Sequence, residues 1–210
     1  MPTRIVLAST NQGKVREFAR LFADPRILLL GMTEVVPPDF EVEETGATFE
    51  ENAWLKALAL CQLTGLPALS DDSGLEVDAL GGRPGVYSAR YAGPGCTDED
   101  NNTLLLRELL GVETEQRTAR FVCCLAFATP TAQGPTRQAS ARAKVDGRIL
   151  TAPRGSQGFG YDPLFEPCAY VGQTTAELRS EEKDRISHRG QAARQIFAAM
   201  VHWLDTQAPS

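Results

Sequence analysis

The sequence predicts an α/β fold, a mixed β-sheet flanked by helices. Three observations predict it. Segments of strand and helix periodicity alternate along the chain, with the strands concentrated in its middle. Phe121-Val122-Cys123-Cys124-Leu125-Ala126-Phe127 is apolar at every position, as a central strand covered on both faces must be. Ala193, Ile196, Phe197, Met200, Val201 and Leu204 follow the i, i+3, i+4, i+7 spacing of one long amphipathic helix.

Composition narrows the class. A chain of 210 residues is long enough to bury a real core, as one large domain or two small lobes. Apolar residues at 42% and charged residues at 23% are ordinary for a globular protein. No apolar run approaches the roughly 18–20 residues of a membrane span. Met1-Pro2-Thr3-Arg4 leads straight into a strand without a signal-peptide pattern. Five cysteines without C-x-x-C spacing indicate neither a disulfide framework nor a zinc site, and a reducing cytoplasm is the simplest home. A net charge of −6 without a Lys/Arg-rich run argues against a duplex nucleic-acid binder. It leaves room for a small phosphorylated ligand, which needs only a few local cations and a metal.

Taken in order, Arg4-Ile5-Val6-Leu7-Ala8 reads as a buried strand. Ser9-Thr10-Asn11-Gln12-Gly13-Lys14 follows, and then a helix with Val15, Phe18, Ala19 and Phe22 on one face. Strand, polar glycine-containing loop, lysine and helix form a phosphate-binding layout, since backbone N–H groups and the helix dipole favour an anion. It lacks Walker A spacing. A plain N-cap with a solvated lysine accounts for the same residues. Glu43-Glu44-Thr45-Gly46 precedes Thr48-Phe49-Glu50-Glu51, a capping box opening a helix that runs to about Leu63. Asn52 and Lys56 lie one turn apart on that helix's polar side. The acidic cluster also suits a solvated loop and a dipole-favoured first turn.

Leu69-Ser70-Asp71-Asp72-Ser73-Gly74-Leu75-Glu76-Val77-Asp78 is the stretch best suited to chemistry. Apolar segments read as short strands on either side of two adjacent carboxylates, a hydroxyl and a glycine. Burying a bare carboxylate costs several kcal/mol or more unless it is paired, hydrogen-bonded or on a metal. Two of them at a strand end suggest a hard-cation site of the magnesium kind. Asp-Asp-Ser-Gly also suits a β-turn or an Asx-turn.

Gly81 to Gly85 forms a glycine-rich turn, followed by the aromatic segment around Tyr87 and Tyr91. Thr97 to Asp100 reads as a cap, opening a helix with Leu104, Leu105, Leu109 and Leu110 that closes at Gly111. Arg137 to Val145 alternates apolar and polar residues, as a half-exposed hairpin partner of the central strand does. Gly155 to Pro163 is a second glycine-rich loop, in which Phe159, held between glycines, is suited to stack on a nucleobase. An ordinary aromatic turn packing on the core is the other reading. Thr174 to Glu177 reads as a capping box opening a helix through Glu181, Glu182 and Lys183. Ser187-His188-Arg189-Gly190 precedes the long final helix. Cations in its first turn run against the helix dipole, which hints at a functional reason or an ion pair.

Together these segments resemble the inosine/xanthosine triphosphate pyrophosphatase family, from about residue 4 to about residue 200. The matching pieces are Ser9 to Lys14, Glu43 to Gly46 with Phe49-Glu50-Glu51-Asn52-Ala53, and Leu69 to Leu75. Pro84 to Tyr91, Gly158-Phe159-Gly160-Tyr161-Asp162-Pro163 and Ser187 to Gly190 complete the set. Ser156-Gln157 and Ala143 stand where relatives often carry glycine. The resemblance implies an elongated mixed sheet flanked by helices, in two lobes with a central cleft, over 1–210 as a single domain, and a homodimer. It implies hydrolysis of ITP, dITP or XTP to the monophosphate and pyrophosphate with Mg²⁺. In that reading Ser9, Thr10, Asn11, Gln12, Gly13 and Lys14 hold the triphosphate, and Glu43 and Asp72 organise magnesium. Asp72 also orients or deprotonates the attacking water. Ser73 bonds the phosphate or ribose region. Phe159, Gly160, Tyr161 and Asp162 form the base-stacking loop. Lys183, His188 and Arg189 reach the base or phosphates.

Donors aimed at a 6-oxo group would meet the 6-amino donors of adenine instead, leaving buried groups unpaired at a cost of roughly 1–3 kcal/mol each. Exclusion of guanine must then depend on the 2-position. Two other readings stay open: a nucleotide-binding sensor without turnover, and a pyrophosphatase acting on modified pyrimidine or methylated nucleotides.

Overall fold

A computed structural model describes residues 1–207; the last residues of the expected 1–210 domain, 208–210, lie outside the described residues. The strands are β1 Thr3–Leu7, β2 Ile27–Gly31, β3 Ala68–Val77, β4 Thr118–Thr131, β5 Gly134–Ile149 and β6 Phe165–Pro167. The helices are α1 Gln12–Leu21, α2 Phe49–Thr64, α3 Asp98–Glu108, α4 Ser180–Ile186 and α5 His188–Gln207. The strands form one sheet in the order β2-β1-β3-β4-β5-β6. It is mixed: β1 runs parallel to β2 and β3, whereas β5 and β6 are antiparallel. Among the described residues no helix is long and apolar enough to cross a membrane.

The chain divides into two compact units. The first comprises Met1–Asp72, Cys123–Arg142 and the segment from Arg189 onward. Its strand residues alternate between two helical layers, as side chains of a pleated strand must. One face meets α1 and α5, with Phe22 against Phe197 at 6.1 Å between ring centroids and Phe127 edge-on to Trp203 at 5.5 Å. The other meets α2, where the Ser70 hydroxyl donates to the Ala53 carbonyl and Arg137 lies over the Trp54 ring at 5.0 Å. Helix α2 begins where expected: Thr48 and Glu51 form the capping box, and Gly65 (φ 64°) ends it in the left-handed region.

The second unit comprises Ser73–Val122 and Ala143–His188. Leu75, Val77, Leu105, Leu109, Phe121, Ile149, Tyr161, Leu164 and Phe165 make its core. Thr97 and Asp100 cap α3 reciprocally, as expected. Near the other end of α3, buried Arg117 donates to the carbonyls of Leu109, Val112 and Leu150.

Two expectations need correction. The Asp-Asp-Ser-Gly stretch is neither a turn nor a strand end: β3 runs unbroken through it for 10 residues. The carboxylates can lie inside a strand because each has cationic partners. Nor does Thr174 open a helix. Its hydroxyl donates to the Arg154 carbonyl at 2.8 Å, and Glu177 closes a single turn back onto the Thr174 N–H at 2.7 Å. The helix there starts later, as α4 at Ser180.

Candidate active site

In the first unit the site grows from β3. Asp71 and Asp72 are consecutive, so their side chains leave opposite faces of the strand. Asp71, fully buried, points to the α1/α5 side. Lys14 of α1 contacts Asp71 Oδ2 at 2.7 Å, Arg189 of α5 contacts it at 3.3 Å, and the Cys123 thiol donates to Oδ1 at 3.2 Å. Arg189 in turn meets Glu17 of α1 at 3.3 Å. Two acids and two bases therefore balance inside a buried network, the condition for burying charge at tolerable cost. Burial alone would push the Asp71 carboxyl up. Lys14 and Arg189 outweigh it and hold the group well below the ordinary carboxylate range. Burial and the Asp71 charge push the Cys123 thiol well up, which makes it inert.

Asp72 faces α2. The Lys56 ammonium donates to Asp72 Oδ1 at 2.7 Å, to Glu44 Oε1 at 2.9 Å and to the Asp71 carbonyl at 3.0 Å, committing all three of its N–H groups. The loop carrying Glu44 is fastened to α2 by the Gly46 N–H, which donates to Asn52 Oδ1 at 2.8 Å. A Cβ on Gly46 would lie 2.6 Å from that oxygen, so the approach requires glycine. Burial raises the Asp72 pKa. Lys56 offsets part of this, while the neighbouring charges of Glu44 and Asp71 add to it. The second Asp72 oxygen, Oδ2, is buried and has no hydrogen-bond partner. An unsatisfied buried carboxylate oxygen is costly, so the site is built to receive a cation or a donor there.

The Ser9–Lys14 segment keeps the phosphate-binding layout. Asn11 caps α1, its side chain accepting the Lys14 N–H at 3.1 Å, and the Ser9 hydroxyl accepts the Asn11 N–H at 3.2 Å. Thr10, Asn11 and Gln12 are exposed, and no acid occupies the first turn of α1. Its dipole is thus left uncompensated at that end.

The second unit holds the other candidate residues. Asp162 organises its loop: Oδ2 accepts the Phe159 N–H at 2.9 Å and pairs with Lys183, and Oδ1 accepts the Thr175 hydroxyl at 2.9 Å. The Lys183 ammonium also lies over the Phe159 ring, 5.2 Å from its centroid. Gly158 (φ 80°) is required, because a Cβ would run into the Asp162 carboxylate. His188 is buried and stacks on Phe121 at 4.9 Å. Ser73, the residue after Asp72 in β3, is half-buried.

Three of the candidate residues have the following surroundings. Tyr161 is buried, and its hydroxyl donates to the Ser88 carbonyl at 2.8 Å, which ties it to the core. Arg189 is 5% exposed and held by Asp71 and Glu17, so the cation that ran against the α5 dipole is explained by an ion pair. Glu43 is exposed, and Glu44 is the loop acid that shares Lys56 with Asp72. The sequence reading did not place Lys56, Glu17 or Cys123 in the site. Only Lys56 carried a signal, its position one turn after Asn52 on the helix leading to β3.

The model of the Ham1 family matches residues 5–199. The chain belongs to the Ham1 family. A dITP/XTP pyrophosphatase of Cutibacterium acnes is 49% identical over 206 residues, 97% of this chain and 98% of that protein. One of Geobacillus kaustophilus is 54% identical over 191 residues, 90% of this chain and 89% of its own length. Among solved structures, a HAM1 protein from Coxiella burnetii superposes with a TM-score of 0.82 at 42% identity, covering 95% of this chain and 99% of its own. The Ham1-family structure from Staphylococcus aureus gives a TM-score of 0.79, again at 42% identity, covering 95% and 98%. The α/β class expected from the strand and helix patterns is therefore that of its solved relatives.

Proposed function

We propose that this chain hydrolyses deaminated purine nucleoside triphosphates (ITP, dITP and XTP) to the monophosphate and pyrophosphate. The observation that carries the reading is the buried Asp72 carboxylate, held at one oxygen by Lys56 and unpartnered at the other, in a chain whose Ham1-family relatives are named dITP/XTP pyrophosphatases.

The residues suit the chemistry of attack at the α-phosphorus. Lys14 and the open N-terminus of α1 receive the triphosphate, and Asp71 keeps the Lys14 side chain in place. Asp72 orients the attacking water and accepts its proton at Oδ2. Its raised pKa makes it a stronger base than an ordinary carboxylate once ionised. Magnesium fits the donor set. Among the described residues no group of three or more metal-binding side chains gathers in one place. Magnesium sites commonly use one or two carboxylates and complete their shell with substrate phosphates and water. Asp72 and the acidic loop at Glu43-Glu44 would hold the ion, Glu44 being the acid that shares Lys56 with Asp72. When bound, it supplies neutralisation of phosphate charge. In the second unit Phe159 stacks on the base, with Asp162 and Lys183 fixing the ring. A homodimer in the cytoplasm, acting on free nucleotides and not on nucleic acid, completes the proposal.

Product analysis tests it. Wild type and Asp72→Asn are incubated with dITP, XTP, ATP and GTP in magnesium buffer. Monophosphate and pyrophosphate from the oxo-purines, absent in the variant, are the expected result. Orthophosphate as the product, or equal turnover of ATP, would overturn it.

A further inference from the structure

The Phe159 loop is gripped from a second direction, by α3. Asp98 Oδ2 accepts the Gly160 N–H at 2.7 Å, and Asn102 Nδ2 donates to the Gly160 carbonyl at 3.0 Å. Residues four apart share one helix face, so a single turn of α3 holds both polar groups of one peptide residue. Gly160 sits at φ 62° with open space around the position of a Cβ, so glycine serves conformation there and not clearance. Phe159 is therefore bracketed. Asp162 takes its N–H on one side, and α3 holds the next residue on the other.

Asn102 makes this contact at a cost. Its Oδ1 is buried and has no partner. Turning the carboxamide over would direct its oxygen at the Gly160 carbonyl, acceptor against acceptor. The grip on Gly160 thus fixes the carboxamide in an orientation that leaves its own oxygen unsatisfied. A side chain kept in that state is there for the contact it makes.

We infer that Asp98 and Asn102 are positioning residues for base recognition, setting the pose in which the Phe159 ring is presented before substrate arrives. The inference rests on the reading that Phe159 stacks on the base. Ordering a loop in advance removes that cost from binding, so the effect falls on KM and leaves the reacting phosphate, and kcat, untouched.

The test is steady-state kinetics on dITP with saturating magnesium, with a thermal melt for every variant. The variants are Asp98→Ala, Asp98→Asn, Asn102→Ala, Asn102→Asp and Phe159→Ala. Loss of one such hydrogen bond in Asp98→Ala or Asn102→Ala is expected to raise KM about three- to tenfold, with kcat within about twofold. Asp98→Asn still offers an oxygen to the Gly160 N–H and should restore a near-wild-type KM. Asn102→Asp is isosteric but cannot donate when ionised, and it should fail to restore it. Unchanged KM in both alanine variants, with KM raised in Phe159→Ala, overturns the positioning role alone. An unchanged KM in Phe159→Ala overturns the stacking reading beneath it. A fall in kcat that tracks lost melting temperature across the α3 variants would mean a merely structural role.

Discussion

Replacing Asp71 and Asp72 one at a time by asparagine should have opposite effects on stability, although the two are chain neighbours of one chemical type. Asp71→Asn removes the acid from the α1/α5 network and leaves Lys14 and Arg189 facing Glu17 alone. Breaking a buried pair by deleting one partner costs about 3–5 kcal/mol. Asp71 and Arg189 have side-chain exposures of 0% and 6%, while Lys14, at 19%, can turn toward water. The lower end of the range, about 3 kcal/mol, therefore applies, or about 6–12 °C in melting temperature for a chain of this length. Because Asp71's folded pKa is depressed, its contribution is present above the unfolded value of about 3.9 and is lost only as pH falls through the folded one. The gap between wild type and Asp71→Asn should thus be constant from pH 8 to about pH 5. Asp72 has the reverse sign: its pKa is raised, so its ionised form costs stability above that pKa and the cost disappears as pH falls through it. Asparagine mimics the protonated form, so Asp72→Asn should melt at or slightly above wild type at pH 8 and converge with it on acidification. Calorimetry across pH on both variants measures this. An Asp72→Asn protein as destabilised as Asp71→Asn, or an Asp71→Asn protein within about 2 °C of wild type, would refute the account of two faces with opposite electrostatics.

Lys56→Met removes the charge that pulls the Asp72 pKa down, so the acidic limb of the kcat–pH profile should move to higher pH, with kcat down about 10²-fold. An unmoved limb would separate Lys56 from Asp72. Tyr161→Phe should cost about 1–2 kcal/mol in denaturant unfolding by leaving the Ser88 carbonyl unmet, with KM for dITP unchanged. A raised KM would return Tyr161 to the ligand. Gly158→Ala places a methyl against the Asp162 carboxylate at a φ that L residues avoid, and should raise KM for dITP severalfold while the melting temperature moves by only a few degrees. An unchanged KM would mean that the loop pose does not matter to the base.

Features decided by near neighbours were legible in the sequence. Thr48 with Glu51 and Thr97 with Asp100 cap their helices because donor and acceptor lie three residues apart, and the apolar run at Phe121–Phe127 declares a covered strand. Features decided by distant partners were not. That β3 passes unbroken through two aspartates depends on Lys56, 15 residues back from Asp71, and on Arg189, 118 residues ahead of it. No local window holds those cations, and turn chemistry is then the natural reading of Asp-Asp-Ser-Gly. At Thr174 and Glu177 the local signal is likewise joined by a distant contact, the threonine hydroxyl donating to the carbonyl of Arg154, 20 residues earlier. The candidate residues of Ser9–Lys14, Asp72 and Asp162 were recognisable by type and spacing. The contacts of Lys56 with Glu44 and Asp72, and of Glu17 with Arg189, emerged only from packing.

The alternation of β3 has a consequence for how the gene can vary. Strand side chains repeat every two residues, so loss or gain of one residue between Leu69 and Asp71 would turn the two carboxylates inside out. The proposed base would then lie among Lys14 and Arg189, where its proton affinity is suppressed, and its neighbour would occupy the half-satisfied position against Lys56. Both carboxylates would survive in the sequence and neither would be in working order. Point substitutions across this strand can be graded in effect, but a single-codon insertion or deletion there should read as a null allele.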